Sequence, residues 1–101
     1  MKKILITGAS GFIGKSLVND LKEDNFKIYC YSSKDGDITQ QKTWNKMPSA
    51  DYLIHLAAKT FVPKSWKNPK NFIYVNSSSL INAIQYCKKN KCKLIYLSSF
   101  I

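Results

Sequence analysis

The feature that most narrows what this chain can fold into is the run Gly8-Ala9-Ser10-Gly11-Phe12-Ile13-Gly14, which holds three of the four glycines in 101 residues. It follows Lys3-Ile4-Leu5-Ile6-Thr7, a short apolar segment that stops at the first glycine, as a buried parallel strand does. It leads into Phe12 to Asp24, where Phe12, Ile13, Leu17, Val18 and Leu21 fall at helical spacing. A strand running into a glycine-rich turn that opens a helix lets backbone N–H groups approach a pyrophosphate at the positive end of a helix dipole. In that arrangement Gly8 makes the tight turn, Gly11 clears space for the phosphates, and Gly14 lets the helix pack on the strand.

The same alternation continues along the chain. Phe26 to Tyr31 predicts a second strand, rich in β-favouring residues. Ser32 to Asp37 is a loop. Thr39 to Met47 predicts a short helix, capped by Thr39 and ended before Pro48. Asp51 to Ala58 is a third strand, Lys59 to Pro69 an irregular stretch, and Cys92 to Ser98 a fourth strand. Between the last two strands a long helix is expected to turn Phe72, Val75, Leu80, Ala83, Ile84 and Cys87 to one apolar face. Strands alternating with helices give an α/β fold, a Rossmann-like doubly wound parallel sheet with right-handed crossovers. The connection from the second strand to the third leaves little room for an extra strand. The third is therefore expected on the far side of the first, in the order 2-1-3-4. No repeat, linker or boundary divides residues 1–101, which read as one domain.

Composition excludes other classes. At 45% hydrophobic and 13% aromatic residues the chain can bury a core, which argues against disorder. No apolar run approaches the roughly 20 residues of a membrane helix. The apolar start breaks at Thr7-Gly8, short of the roughly 7–15-residue stretch of a signal peptide. Cys30, Cys87 and Cys92 form no disulfide framework and no zinc-ligand spacing, so no metal is expected, and reduced thiols point to the cytoplasm. The net charge is +10, from 16 cations that are all lysine. The lysines are dispersed except for Lys88 to Lys93, which falls at an expected helix end, where cations favour the dipole. Without arginine, the usual bidentate reader of guanine and phosphate, nucleic acid is disfavoured as a partner. A basic RNA-binding module stays as an alternative on net charge alone.

With Ile6-Thr7 ahead of the glycines, the string Ile6 to Gly14 resembles the short-chain dehydrogenase/reductase superfamily. It is most similar to the extended branch, the NAD(P)-dependent nucleotide-sugar epimerases, dehydratases and reductases. Asp37-Ile38 resembles the family's Gly-Asp-Ile/Leu segment, whose Asp contacts the adenine edge. His55-Leu56-Ala57-Ala58 resembles the strand ending beside the dinucleotide, and Thr60 sits where the family often has a residue near the ribose or phosphate. Asn76 matches the family's structural and catalytic Asn. Leu97-Ser98-Ser99 resembles a Ser-Ser pair whose second member helps polarise the substrate oxygen. The resemblance covers essentially the whole chain. It implies NADP or NAD held by Gly8, Ser10, Gly11, Phe12, Ile13, Gly14, Ser32, Ser33, Lys34, Asp37, Ile38, Leu56, Ala57, Ala58 and Thr60. It implies Ser99 and Asn76 in catalysis, and a nucleotide-sugar substrate in a full-length relative. His55 has no acid–base role in the family and reads as a buried, hydrogen-bonded histidine.

Two departures shape the expectations. No tyrosine has Lys four residues later, so the family's Tyr-x-x-x-Lys proton-transfer pair is absent. The chain thus reads as the N-terminal part of such an enzyme, either a fragment of a longer one or a truncated gene product, without the C-terminal half and substrate domain, and with no turnover alone. The alternative is a non-catalytic dinucleotide-sensing module. The last strand, Leu94 to Leu97, would then be an apolar edge open to self-association or homodimer formation. Second, no carboxylate ends the second strand, where an NAD site usually holds one for the ribose hydroxyl. Ser32, Ser33 and Lys34 are all compatible with a 2′-phosphate, which favours NADP.

Overall fold

The computed structural model describes residues 1–9, 11–22, 24–32, 34–56 and 69–96. Their order is β1 (Lys3–Thr7), α1 (Phe12–Lys22), β2 (Lys27–Tyr31), α2 (Gln41–Asn45), β3 (Tyr52–His55), α3 (Pro69–Asn90) and β4 (Lys93–Tyr96). The four strands form one parallel sheet in the order β2-β1-β3-β4, as the loop lengths predict. No helix among the described residues is long and apolar enough to cross a membrane.

β1 is central because all of its interior is apolar or paired. Ile4, Leu5, Ile6 and Thr7 are buried, and alternation sends them to opposite faces. Leu5 and Leu53 pack with Trp44, Met47 and Ala50 near α2 and with Ala83, Tyr86 and Cys87 of α3. Ile4, Ile6 and Ile54 pack with Leu17, Val18 and Leu21 of α1 on the other face. Burying each of these branched side chains stabilises by about 1.5–3 kcal/mol, so the two cores hold the helices on both faces of the sheet.

Three expectations about the helices need correction. The buried stripe of α3 runs through Ser79, Ala83, Tyr86 and Cys87, while Ile84 is 50% exposed. The helix is phased by a serine that meets a buried histidine and a tyrosine that donates to the Pro48 carbonyl at 2.5 Å, neither of which hydrophobicity marks. Ile13, expected on the buried face of α1, is 59% exposed. Thr39 does not cap α2: the N-cap position is Gln40, without a side-chain bond, and the Thr39 hydroxyl donates to Asp37 instead. The strand Tyr52–His55 is also shorter than the expected 51–58, and residues 57 and 58 lie outside the described set.

Candidate functional site

The carboxyl ends of the strands carry every described candidate except Asn76, which lies on α3. Gly8 takes φ of +74°, a conformation glycine adopts without steric cost, and this turns the chain sharply at the end of β1. Its N–H donates to the Tyr31 carbonyl at 2.9 Å, and the Gly11 N–H donates to the Gly8 carbonyl at 3.2 Å. The Lys15 N–H reaches the Gly11 carbonyl at 2.9 Å as the i→i−4 ladder begins. The amides of Phe12, Ile13 and Gly14 therefore stand in the first turn of α1, ahead of that ladder and at the positive end of its dipole.

The glycines differ in what demands them. A Cβ on Gly14 would lie 2.5 Å from the Gly8 carbonyl oxygen and 2.7 Å from the Ala9 Cα, so helix packing on the turn requires a glycine. A Cβ on Gly11 would meet only the Gly8 oxygen, at an ordinary 3.5 Å. Gly11 is exposed, and its packing leaves room for a side chain that the sequence does not supply. The residues present thus fit a group that approaches the backbone closely at that point.

Beside this turn, Gly8, Tyr31, Ser32, Lys34, Asp35, Gly36, Asp37 and Ile38 line a cavity of about 450 Å³. Asp37 is exposed, and its Oδ1 accepts from the Thr39 amide at 2.9 Å and hydroxyl at 2.7 Å, which hold its carboxyl below the usual carboxylate range. The Ile38 carbonyl accepts from the Trp44 indole at 2.8 Å and the Asn82 amide at 3.2 Å, tying the segment to α2 and α3. Asp35 folds back onto the end of β2: its Oδ2 accepts from the Ser32 N–H at 2.9 Å and the Ser32 hydroxyl at 3.4 Å. The structure thus returns a carboxylate to the strand end, where the sequence reading found none. The three-residue Ser-x-x-Asp spacing is its only sequence signal, because such a side chain reaches back to a local amide.

A row of side chains crosses the same edge on the α3 side of the sheet. The registers align Tyr31, Thr7, His55 and Tyr96 on the four strands. His55 is fully buried and stacks on the Tyr96 ring at 5.8 Å. Its Nδ1 lies 2.6 Å from the Thr7 hydroxyl and its Nε2 lies 3.4 Å from the Ser79 hydroxyl. Ser79 spends its proton on the Asn76 carbonyl at 3.2 Å, so it accepts from His55 Nε2–H, and Nδ1 accepts from Thr7. Desolvation lowers the His55 pKa to about 4, so the ring is neutral at pH 7. It bridges β1, β3 and α3 as a structural group, as expected, and Thr7 and Ser79 are its unforeseen partners. Asn76 is half-buried and hydrogen-bonded or otherwise engaged. Leu56 is half-buried, with its N–H donating to the Thr7 carbonyl at 3.0 Å. Ser10, Ser33, Ala57, Ala58, Thr60 and Ser99 lie outside the described residues.

Comparison with known proteins agrees with this geometry. Residues 4–100 match the sequence model of the NAD dependent epimerase/dehydratase family. Over 82% of its length the chain is 38% identical to 29% of the GDP-6-deoxy-D-talose 4-dehydrogenase of Aggregatibacter actinomycetemcomitans. It is also 31% identical, over 96% of its length, to 33% of the GDP-L-colitose synthase of Yersinia pseudotuberculosis. Among solved structures, the dTDP-4-dehydrorhamnose reductase of Bacillus anthracis in complex with NADP superposes with a TM-score of 0.88. That match has 28% identity and covers 94% of this chain and 35% of the reductase. The chain spans about a third or less of the length of these relatives.

Proposed function

The chain belongs to the NAD-dependent epimerase/dehydratase family, and from that premise we propose that it is the dinucleotide-binding portion of a nucleotide-sugar epimerase, dehydratase or reductase. The observation that carries this reading is Gly11, a glycine at the mouth of the site that the protein's own packing does not require. The amides of Phe12 and Ile13 would receive the pyrophosphate, with Gly8 and Gly14 shaping the turn around it. Asp37 and Ile38, anchored through the Ile38 carbonyl, would take the adenine. Leu56 and the residues that follow it would lie beside the dinucleotide. When bound, the nicotinamide supplies hydride removal and return at a sugar carbon, and the protein supplies position and electrostatics. Asn76 and Ser99 would serve the substrate side, and the substrate domain would lie in the part of the relatives that this chain does not span. Three free thiols accord with a cytoplasmic protein, and the apolar edge at β4, where Ile95 is 46% exposed, offers a surface for homodimer contact.

Cofactor preference turns on the end of β2. Ser32 and Lys34 are compatible with a 2′-phosphate, which favours NADP. Asp35, held on the Ser32 amide, adds a carboxylate able to accept from a ribose hydroxyl and to repel a phosphate. We therefore read the site as admitting NAD as well as NADP. Calorimetric titration of NAD and NADP into the wild type and Gly11→Val tests the assignment. Binding lost in the variant, with folding unchanged, is the expected result, and equal binding by both proteins would reject it.

A further inference from the structure

We propose that Cys87 and Cys92 form a reversible redox clasp, an intramolecular disulfide that fastens the end of α3 to the start of β4. The two cysteines are five positions apart, on either side of a helix terminus. Lys91 takes the left-handed conformation, with φ of +53°, and the Cys92 N–H donates to the Cys87 carbonyl at 2.8 Å. That is the six-to-one closure of a Schellman motif, which commonly sets the residue after the left-handed position against the last turn of the helix. Here both side chains are thiols: Cys92 packs against the core cluster that holds Cys87, and its Sγ–H donates to the Lys93 carbonyl at 3.6 Å. The proposed S–S bond, about 2.05 Å long, would form across this closed turn.

The two sulfurs differ in access. Cys87 is buried, at 7% exposure, while Cys92 is partly exposed. Exposed Lys88, Lys89, Lys91 and Lys93 surround the pair in sequence and favour an anionic reagent there. The oxidant we name is a low-molecular-weight disulfide of the glutathione class. The Cys92 thiolate attacks one of its sulfurs, forming a mixed disulfide and releasing one glutathione thiolate. The Cys87 thiolate then attacks the Cys92 sulfur, closing the protein disulfide and releasing the second. The protein loses two protons and two electrons, and the oxidised glutathione is reduced to two thiols. Burial raises both protein thiols, Cys92 to about 12, so exchange is slow near neutral pH and faster in mildly alkaline buffer. Cys30, exposed on β2 at the far edge of the sheet, has no such neighbour among the described residues and provides an internal comparison.

The test is incubation of the folded full chain with oxidised glutathione, acid quench, alkylation after unfolding, and peptide mass mapping. The clasp predicts that Cys30 keeps a glutathione adduct. Cys87 and Cys92 are lost to alkylation together, appear as one linked peptide lighter by two hydrogens, and carry no glutathione. Cys87→Ser should leave a persistent glutathione adduct on Cys92. A wild-type Cys92 that keeps its glutathione, or that stays fully alkylatable while Cys30 is modified, would overturn the proposal. The wild-type map decides the matter even if the variant fails to fold.

Discussion

Replacing Gly14 with alanine sets two physical effects against each other. Gly14 is the third residue of α1, and helix propensity alone makes Gly→Ala stabilising by about 1 kcal/mol. The added Cβ, however, would lie 2.5 Å from the Gly8 carbonyl oxygen, 2.7 Å from the Ala9 Cα and 2.8 Å from the Ala9 carbonyl carbon. All three are backbone atoms of the turn, so no side-chain rotation relieves the overlap and α1 must lift from the end of β1. Overpacking of this kind costs typically about 1–3 kcal/mol, and three backbone contacts put this site at the upper end of that range. The net expectation is destabilisation by about 1–2 kcal/mol, a fall in Tm of at least about 4 °C for a domain of this size. Gly11→Ala is the control, since its Cβ meets the nearest atom at 3.5 Å and should change stability by no more than about 0.5 kcal/mol. Chemical denaturation of the three proteins measures both differences. Gly14→Ala as stable as the wild type, or more stable, would refute the close packing of α1 on the turn.

Other consequences follow from the buried histidine and the loop after β2. His55 is the only histidine, and its folded pKa of about 4 lies below the unfolded value of about 6.5. The neutral ring's contribution is full above about pH 6.5 and falls away toward about pH 4, a loss of about 3 kcal/mol. Stability by denaturation that stays flat between about pH 5 and 7 would contradict this burial. Thr7→Val keeps the shape but removes the donor to His55 Nδ1, and should cost about 1–3 kcal/mol by the same assay. Asp35→Ala removes the carboxylate held on Ser32 and should raise the ratio of NADP to NAD affinity about tenfold, or about 1.4 kcal/mol, read by paired titration. An unchanged ratio would remove Asp35 from the ribose site.

Much of the architecture was legible because apolar runs and glycine punctuation carry it. The strand order follows from the short link between Tyr31 and Asp37, and the demand for glycine at positions 8 and 14 follows from a strand meeting a helix. The phase of α3 was not legible, because its buried stripe includes Ser79 and Tyr86, whose burial depends on the partners His55 and Pro48 rather than on hydrophobicity. The fate of Thr39 was missed for a related reason: Asp37 competes for its hydroxyl, and local side-chain bonds of this kind are read only once the turn is known. Asp35 stands three residues past the visible end of β2, and only the folded loop returns its carboxylate to Ser32. At the site the glycine turn and Asp37-Ile38 were visible as motifs, whereas the side-chain hydrogen bonds that anchor the Ile38 carbonyl come from Trp44 in the short helix and from Asn82, far along the chain.

The most direct measurement of dinucleotide binding at the glycine turn is a titration of NAD and NADP into the isotope-labelled chain, followed by backbone amide resonances. Saturable shifts are predicted at Gly11, Phe12, Ile13, Asp37 and Ile38, with little change at Lys3, Lys27, Lys91 and Lys93 on the opposite end of the sheet. Shifts centred on those lysines, or no saturable shift at the turn with either dinucleotide, would contradict it.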